Sequence, residues 1–322
     1  MIAPAEYVDF LRGEYLAGFI RDGGAAVKFA VPLQGVTPDE VHTLFRKAAS
    51  SENYAYAAVD ARDVRVHMAQ DIFHAVARQI DWQDRARVFV RAALEEMRFP
   101  VPAEPSQLSY EEVARLSGYD VHELRRRLEG KLQQDVLRNY ELAQEFRIAM
   151  TRLCQAELDR SDQASVDRDN VLAWLRGELR LISALKSALI FQRIARHNAR
   201  HMLFSLPRWL TKTGKSGLVL DLDISRCAVA RRPAEPEGLY YSKAALLDAY
   251  ELLRQLVDAT DELAYCFVLV VVAPEFLDID GPRSRGLGAY DALRLRVWDE
   301  VRDRRRANPH SALVRLSNSG AS

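Results

Sequence analysis

Short, almost uninterrupted apolar runs constrain this chain more than any other feature. Residues 25–31 (AAVKFAV), 216–223 (SGLVLDLD) and 266–273 (CFVLVVVA) are built mainly from valine, leucine, phenylalanine and alanine. Residues 54–61 (YAYAAVDA) and, more weakly, 312–316 (ALVRL) read as two further strands. A strand with one wet face alternates apolar with polar side chains. A strand covered on both faces does not, and such strands belong to parallel sheets. Parallel neighbours need long crossovers, normally helical, and helical patterns separate these runs. Residues 37–50 (TPDEVHTLFRKAAS) open with Thr37 as N-cap, Pro38 at the first helical position and Glu40 three residues after the cap, a capping box. Residues 242–260 start from Ser242 and carry an apolar stripe through Leu246, Leu247, Tyr250, Leu253 and Leu256. Alternating strands and helices predict an α/β sheet domain.

Between the second and third strands the pattern is helical throughout. Residues 66–82, 123–158 and 168–210 each follow a helical period, with 100–107 (PVPAEPSQ) and 159–169 (DRSDQASVDRD) as punctuation. The expected organisation is one α/β domain with a large all-helical insertion. Residues 1–99 and 206–322 form the two parts of the core, and residues 100–205 form the insertion.

Lysine plus arginine equal aspartate plus glutamate at 45 each, so no global field draws the chain to nucleic acid or membrane. A nucleic-acid role would need a local basic patch. The three cysteines, Cys154, Cys227 and Cys266, are far apart and lack CxxC spacing, which argues against disulfides and for a reducing compartment. The longest apolar stretch is too short to span a bilayer, and residues 1–16 carry acids where a signal peptide would be apolar. The expectation is a soluble cytoplasmic protein without membrane partners.

Several motifs invite a nucleotide reading. Gly214-Lys215-Ser216 has the ending of a phosphate-binding loop, but such a loop follows a strand and opens a helix. Here it follows a helical pattern and enters a strand, so Gly214 reads as a left-handed helix cap, with Lys212 and Lys215 near the negative dipole end. The right place for the loop is after residues 25–31. There Gly35 is the only glycine, no lysine follows, and Thr37 is the one hydroxyl able to stand in for a magnesium contact. In 218–223, Asp221 and Asp223 lie two apart and share one face. They can serve as vestigial metal contacts, or cap helices and pair with arginines. The residue after each is apolar, Leu222 or Ile224, so no catalytic glutamate follows.

Arg283 and Arg285 sit in a glycine-rich segment, where an arginine can reach a neighbouring subunit's phosphate or simply form an ion pair. The basic run 302–306 (RDRRR) closes the next helical pattern. Residues 108–130 resemble a helix-turn-helix, with Ser117-Gly118 as the turn and Arg125, Arg126 and Arg127 on the second helix as candidate DNA contacts. The histidines show no metal-ligand spacing.

Taken together, residues 10–31 (FLRGEYLAGFIRDGGAAVKFAV), 196–223, 240–263 and the stretch from 270 to 316 resemble the P-loop ATP-binding proteins of BREX-type phage-defence islands. These are AAA+-like ATPases of the ASCE class. The resemblance implies a P-loop NTPase-like core, an ATP and magnesium site, and partners among other defence-system proteins or further copies of itself. It places the phosphate loop on residues 31–39 and the acidic strand end on Asp223-Ile224. The loop lysine and the catalytic glutamate are both missing there. The expected protein is therefore a pseudo-ATPase acting as a scaffold or regulatory subunit. The alternatives are a nucleotide-binding switch or weak ATPase, and a DNA-binding regulator acting through residues 108–130.

Overall fold

The computed structural model describes residues 1–229, 238–279, 284–298 and 308–318. The chain divides into two compact units, Met1–Val76 with Lys215–Ser322, and Ala77–Gly214. In chain order, the first unit contributes α1 (Pro4–Leu11), which continues as π-helical turns over Arg12–Phe19, then β1 (Ala25–Pro32), α2 (Pro38–Ser51), β2 (Ala55–Asp60) and α3 (Ala69–Ala77), which runs to the unit boundary. The second unit consists of α4 (Trp82–Glu96), α5 (Tyr110–Ser117), α6 (Val121–Leu132), α7 (Gln144–Leu158), α8 (Asp162–Leu175) and α9 (Ala199–Lys212). The first unit resumes with β3 (Leu218–Asp223), α10 (Lys243–Asp258), β4 (Cys266–Val271), α11 (Asp291–Val297) and β5 (Leu313–Leu316).

All five expected strands form, and they make one parallel sheet in the order β2-β3-β4-β1-β5. Every residue of β1, β3 and β4 is buried, and the charged exceptions to their apolar runs are Lys28, Asp221 and Asp223. On one face α1 and α2 close a core around Phe45, Val219, Phe267 and Leu269. Phe29 points to the other face, where its ring stacks on Phe276 at 5.7 Å and Tyr250 of α10 meets Phe276 edge-on. Thr37 caps α2, its hydroxyl accepting from the Glu40 amide at 3.2 Å. Ser242 caps α10 in the same way.

The second unit contains helices and no strand. Trp82 of α4 meets Phe146 of α7 edge-on, and Phe89 stacks on Trp209 of α9 at 5.2 Å. The helical pattern is interrupted in places: the run at 123–158 breaks between Leu137 and Gln144. The run at 168–210 is not one helix: α8 stops at Leu175, Gly177 follows with φ +75°, and residues 176–198 are irregular apart from a 3-10 turn at Ile182–Leu185. The inward-facing residues of this stretch, Leu185, Ala188, Ile190 and Ile194, are spaced 3, 2 and 4 apart, which no single helical face provides. Leu189, with φ +62°, then turns the chain out of the helical region. Conversely, 159–169 is only in part punctuation. Ser161 accepts from the Ala164 amide and starts α8 at Asp162.

Gly214 takes φ +83° just after α9, so the Gly-Lys-Ser sequence is a helix terminus. Lys215 and Ser216 then hold the α2–β2 turn, through Asn53 Oδ1 at 3.1 Å and the Glu52 carbonyl at 2.7 Å. The three cysteines are buried free thiols. Among the described residues no helix is long and apolar enough to cross a membrane.

Candidate functional site

The two aspartates of β3 project to the α2 side of the sheet with Val219, because side chains two apart share a face. In the parallel register Ala58 of β2 lies beside Asp221 and Asp60 beside Asp223. Tyr56, two residues before Ala58, therefore points the same way, and its hydroxyl donates to Asp221 Oδ2. Asp221 is fully buried and Asp223 is 6% exposed. Two carboxylates that deep, one strand pitch apart, need compensating positive charge.

His42 supplies it. It lies in the second turn of α2, in a row with Asp39 and Arg46 that faces the strand ends. Its Nδ1 is 2.8 Å from Asp221 Oδ2 and its Nε2 is 3.1 Å from Asp223 Oδ2. An ionised carboxylate only accepts, so against two ionised aspartates both ring nitrogens donate, as only the imidazolium can. Burial alone would lower the His42 pKa, but the hydrogen bonds to Asp221 and Asp223 outweigh it and push the pKa up to about 10. Burial would likewise raise Asp223, yet the His42 contact and the Ser225 amide at 2.8 Å hold it below its ordinary range. Asp221 Oδ1 is buried and accepts no hydrogen bond among the described residues, which makes the imidazolium's charge still more necessary. Arg46 lies over the Tyr56 ring at 5.0 Å. His42, Arg46, Asp221 and Asp223 line a cleft of about 300 Å³, into which Asp39 and Asp60 also open.

A pH dependence follows. His42 is raised in the folded state from an ordinary 6.5 to about 10, so its stabilising contribution is complete below about pH 6.5 and is lost as pH rises towards 10. Asp223 is lowered, so its contribution is lost only in acid. The stability difference between the parent and His42→Asn is expected to narrow between pH 6.5 and 10. The His42 ring resonances should not titrate between pH 6 and 8. A midpoint near 6.5 by NMR would refute the imidazolium assignment.

The β1–α2 loop is a tight turn. The Val36 amide donates to the Leu33 carbonyl at 3.0 Å around Gly35, whose φ is +77°. Asn318 donates to the Gly35 carbonyl at 2.8 Å, and the Leu33 amide donates to Leu316. The Thr37 hydroxyl accepts from Glu40 as a cap, and Asp39 and Glu40 put negative charge in the first helical turn. Gly35, Thr37, Asp221 and Asp223 are thus connected through α2, with His42 as the link that the histidine spacing alone did not expose. Nothing in the sequence around position 42 points to these partners, which lie on β3.

The other candidates lie apart. The Arg285 guanidinium donates to the carbonyl of Cys227, at 2.8 Å from Nη2, and to that of Tyr241 at 2.8 Å, bracing the segment after β3. Arg283 and 302–306 lie outside the described residues. In the helical unit, Arg125 meets Asp159 at 3.4 Å, while Arg126 and Arg127 share Glu123 at 2.6 and 2.9 Å. The turn between α5 and α6 forms at Gly118, whose φ is +71°. Among the described residues no group of three or more His, Cys, Asp or Glu side chains is placed to hold a metal ion.

A five-stranded all-parallel sheet, with a capped helix leaving β1 and an acidic β3 separated from β1 by β4, is consistent with a P-loop NTPase-like core. The family model described as BREX system ATP-binding protein BrxC/D matches residues 17–320, and the chain belongs to this family. Membership marks it as an ATP-binding-family component of a BREX defence system. No curated protein and no solved structure matched the chain.

Proposed function

We propose that this chain is a non-hydrolysing member of its family, serving its BREX system as a scaffold or regulatory component. The observation that carries this reading is the His42 imidazolium between Asp221 and Asp223. In P-loop ATPases the aspartate at the end of the corresponding strand holds the magnesium that bridges the phosphates. Here that carboxylate is neutralised from within by a side chain of the protein.

The residues around β1 fit a magnesium triphosphate poorly on their own account. The loop has no lysine, its Val36 amide is spent on its own turn, its one hydroxyl caps α2, and the first helical turn is acidic. A triphosphate there would meet the Asp39 and Glu40 carboxylates with no loop lysine to offset them. The residues after Asp221 and Asp223, Leu222 and Ile224, carry no base to activate water. The family's multi-protein setting makes other proteins of the same system the expected partners.

Isothermal titration of the full chain with ATP and magnesium tests this reading. The expected result is no saturable heat at millimolar nucleotide. Micromolar binding, or turnover abolished by Asp223→Asn, would overturn it.

A further inference from the structure

The helical unit carries a stretch whose charge is one-sided. From Leu179 to Gly214 the chain contains no aspartate or glutamate, yet it has Arg180, Lys186, Arg193, Arg196, Arg200, Arg208 and Lys212. In a protein with equal numbers of acids and bases this is a local concentration of positive charge. Its first half is the irregular segment 176–198, laid on its own unit by buried Leu185, Ala188, Ile190 and Ile194.

That segment is held in a fixed shape. Trp174 Nε1 donates to the Gln192 carbonyl at 3.0 Å, and Arg152 Nε to the Ala188 carbonyl at 3.2 Å. Asn198 donates to the Arg193 carbonyl and accepts from the Ala195 amide. Arg193 Nη2 reaches the Arg180 carbonyl at 2.7 Å, so the two ends of the segment meet. What faces outward is a mixture of two kinds. Arg180, Lys186, Arg193 and Arg196 are exposed, and none forms an ion pair among the described residues. Between them Leu181, Leu189 and Phe191 are 67%, 53% and 65% exposed. The nearest carboxylates in sequence are already engaged, Glu178 with Arg78, Asp169 with Arg168, and Asp167 with Ser187 and Gln163.

Exposed arginine and lysine side chains without ion pairs, interleaved along one segment with an exposed aromatic ring, match the chemistry of a single-stranded nucleic acid. Its phosphates need cations, and its unstacked bases need a flat apolar face. A duplex hides the base faces and would leave Phe191 unused. An acidic peptide would satisfy the cations and leave the ring unspecified. Arg125, by contrast, is paired with Asp159, and Arg126 and Arg127 share Glu123. We infer that residues 180–197 form a binding surface for single-stranded nucleic acid, with Arg180, Lys186, Arg193 and Arg196 on the phosphates and Phe191 under a base. This assignment is independent of whether the family's nucleotide pocket functions.

The test is fluorescence anisotropy of a labelled oligothymidylate of about thirty nucleotides with the full chain, across a salt series. Three to four phosphate contacts predict a log–log salt slope of about −2 to −3. Arg193→Glu with Arg196→Glu should weaken binding by at least about tenfold and flatten that slope. Phe191→Ala should weaken it by about fivefold or more with the slope unchanged. Alanines at 125, 126 and 127 should have little effect. Circular dichroism at the parent's melting midpoint keeps the folded state under control. Absence of binding at low salt, or binding indifferent to the 193/196 pair, would overturn the assignment. So would poly-glutamate or duplex DNA competing as well as the oligonucleotide while Phe191→Ala changes nothing, and the first of these would point to an acidic protein partner instead.

Discussion

Replacing His42 with alanine is expected to cost about 3–5 kcal/mol of local stability in the first unit. The variant leaves Asp221 and Asp223 buried two residues apart on one strand face with their shared counter-ion gone, and removal of one partner from a buried charged cluster is far costlier than the cluster's net worth. Asn at 42 should recover part of the loss, since an amide still donates to one carboxylate. Adding Asp223→Asn to the alanine variant should recover part of it too, because one of the stranded charges disappears. The measurement is hydrogen exchange of the β3 amides. Trp82, Trp174 and Trp209, three of the four tryptophans, lie in the helical unit, so fluorescence would report the wrong unit. A loss under about 1 kcal/mol would mean that water solvates the aspartates and that the imidazolium is incidental.

Gly217→Ala is expected to be equally severe for a different reason. Gly217 enters β3 with φ +141°, and a Cβ built there would stand 2.1 Å from the Tyr265 carbonyl oxygen. That carbonyl accepts the Leu218 amide at 2.9 Å and sits at the start of β4, so neither partner can move without breaking the β3–β4 register. Backbone strain and the clash together give about 3–5 kcal/mol. Gly214 is the control. It also has positive φ, +83°, but a Cβ there meets nothing within 4 Å. Gly214→Ala should therefore cost only about 1–2 kcal/mol. Thermal melts of both variants decide the matter, and a Gly217→Ala protein no less stable than Gly214→Ala would sink the close-approach argument.

How far the residues alone could be read depended on range. Strands announced themselves because burial on both faces leaves an apolar run, and Thr37, Ser242 and Gly214 announced helix ends because capping is chemistry within a few residues. Strand order was illegible, since the pairing of β1 with β4 and β5 depends on contacts between distant segments. The same limit hid His42: its partners lie on β3, and nothing near position 42 advertises them. Asp221 and Asp223 were visible as an acidic strand end, but whether they face a metal, a helix or a side chain is a tertiary question. The 176–198 segment misled because its residues have good helix propensity, and packing overrode it.

The connectivity of the sheet has a consequence for biosynthesis. β1 is bordered by β4 and β5, and β2 is bordered by β3, which emerges from the ribosome only after the whole of Ala77–Gly214. β1 and β2 must therefore wait without a sheet neighbour until translation reaches β3 and, for β1, β4. The nascent chain thus spends most of its synthesis with β1 lacking both of its sheet neighbours, a delay set by the topology.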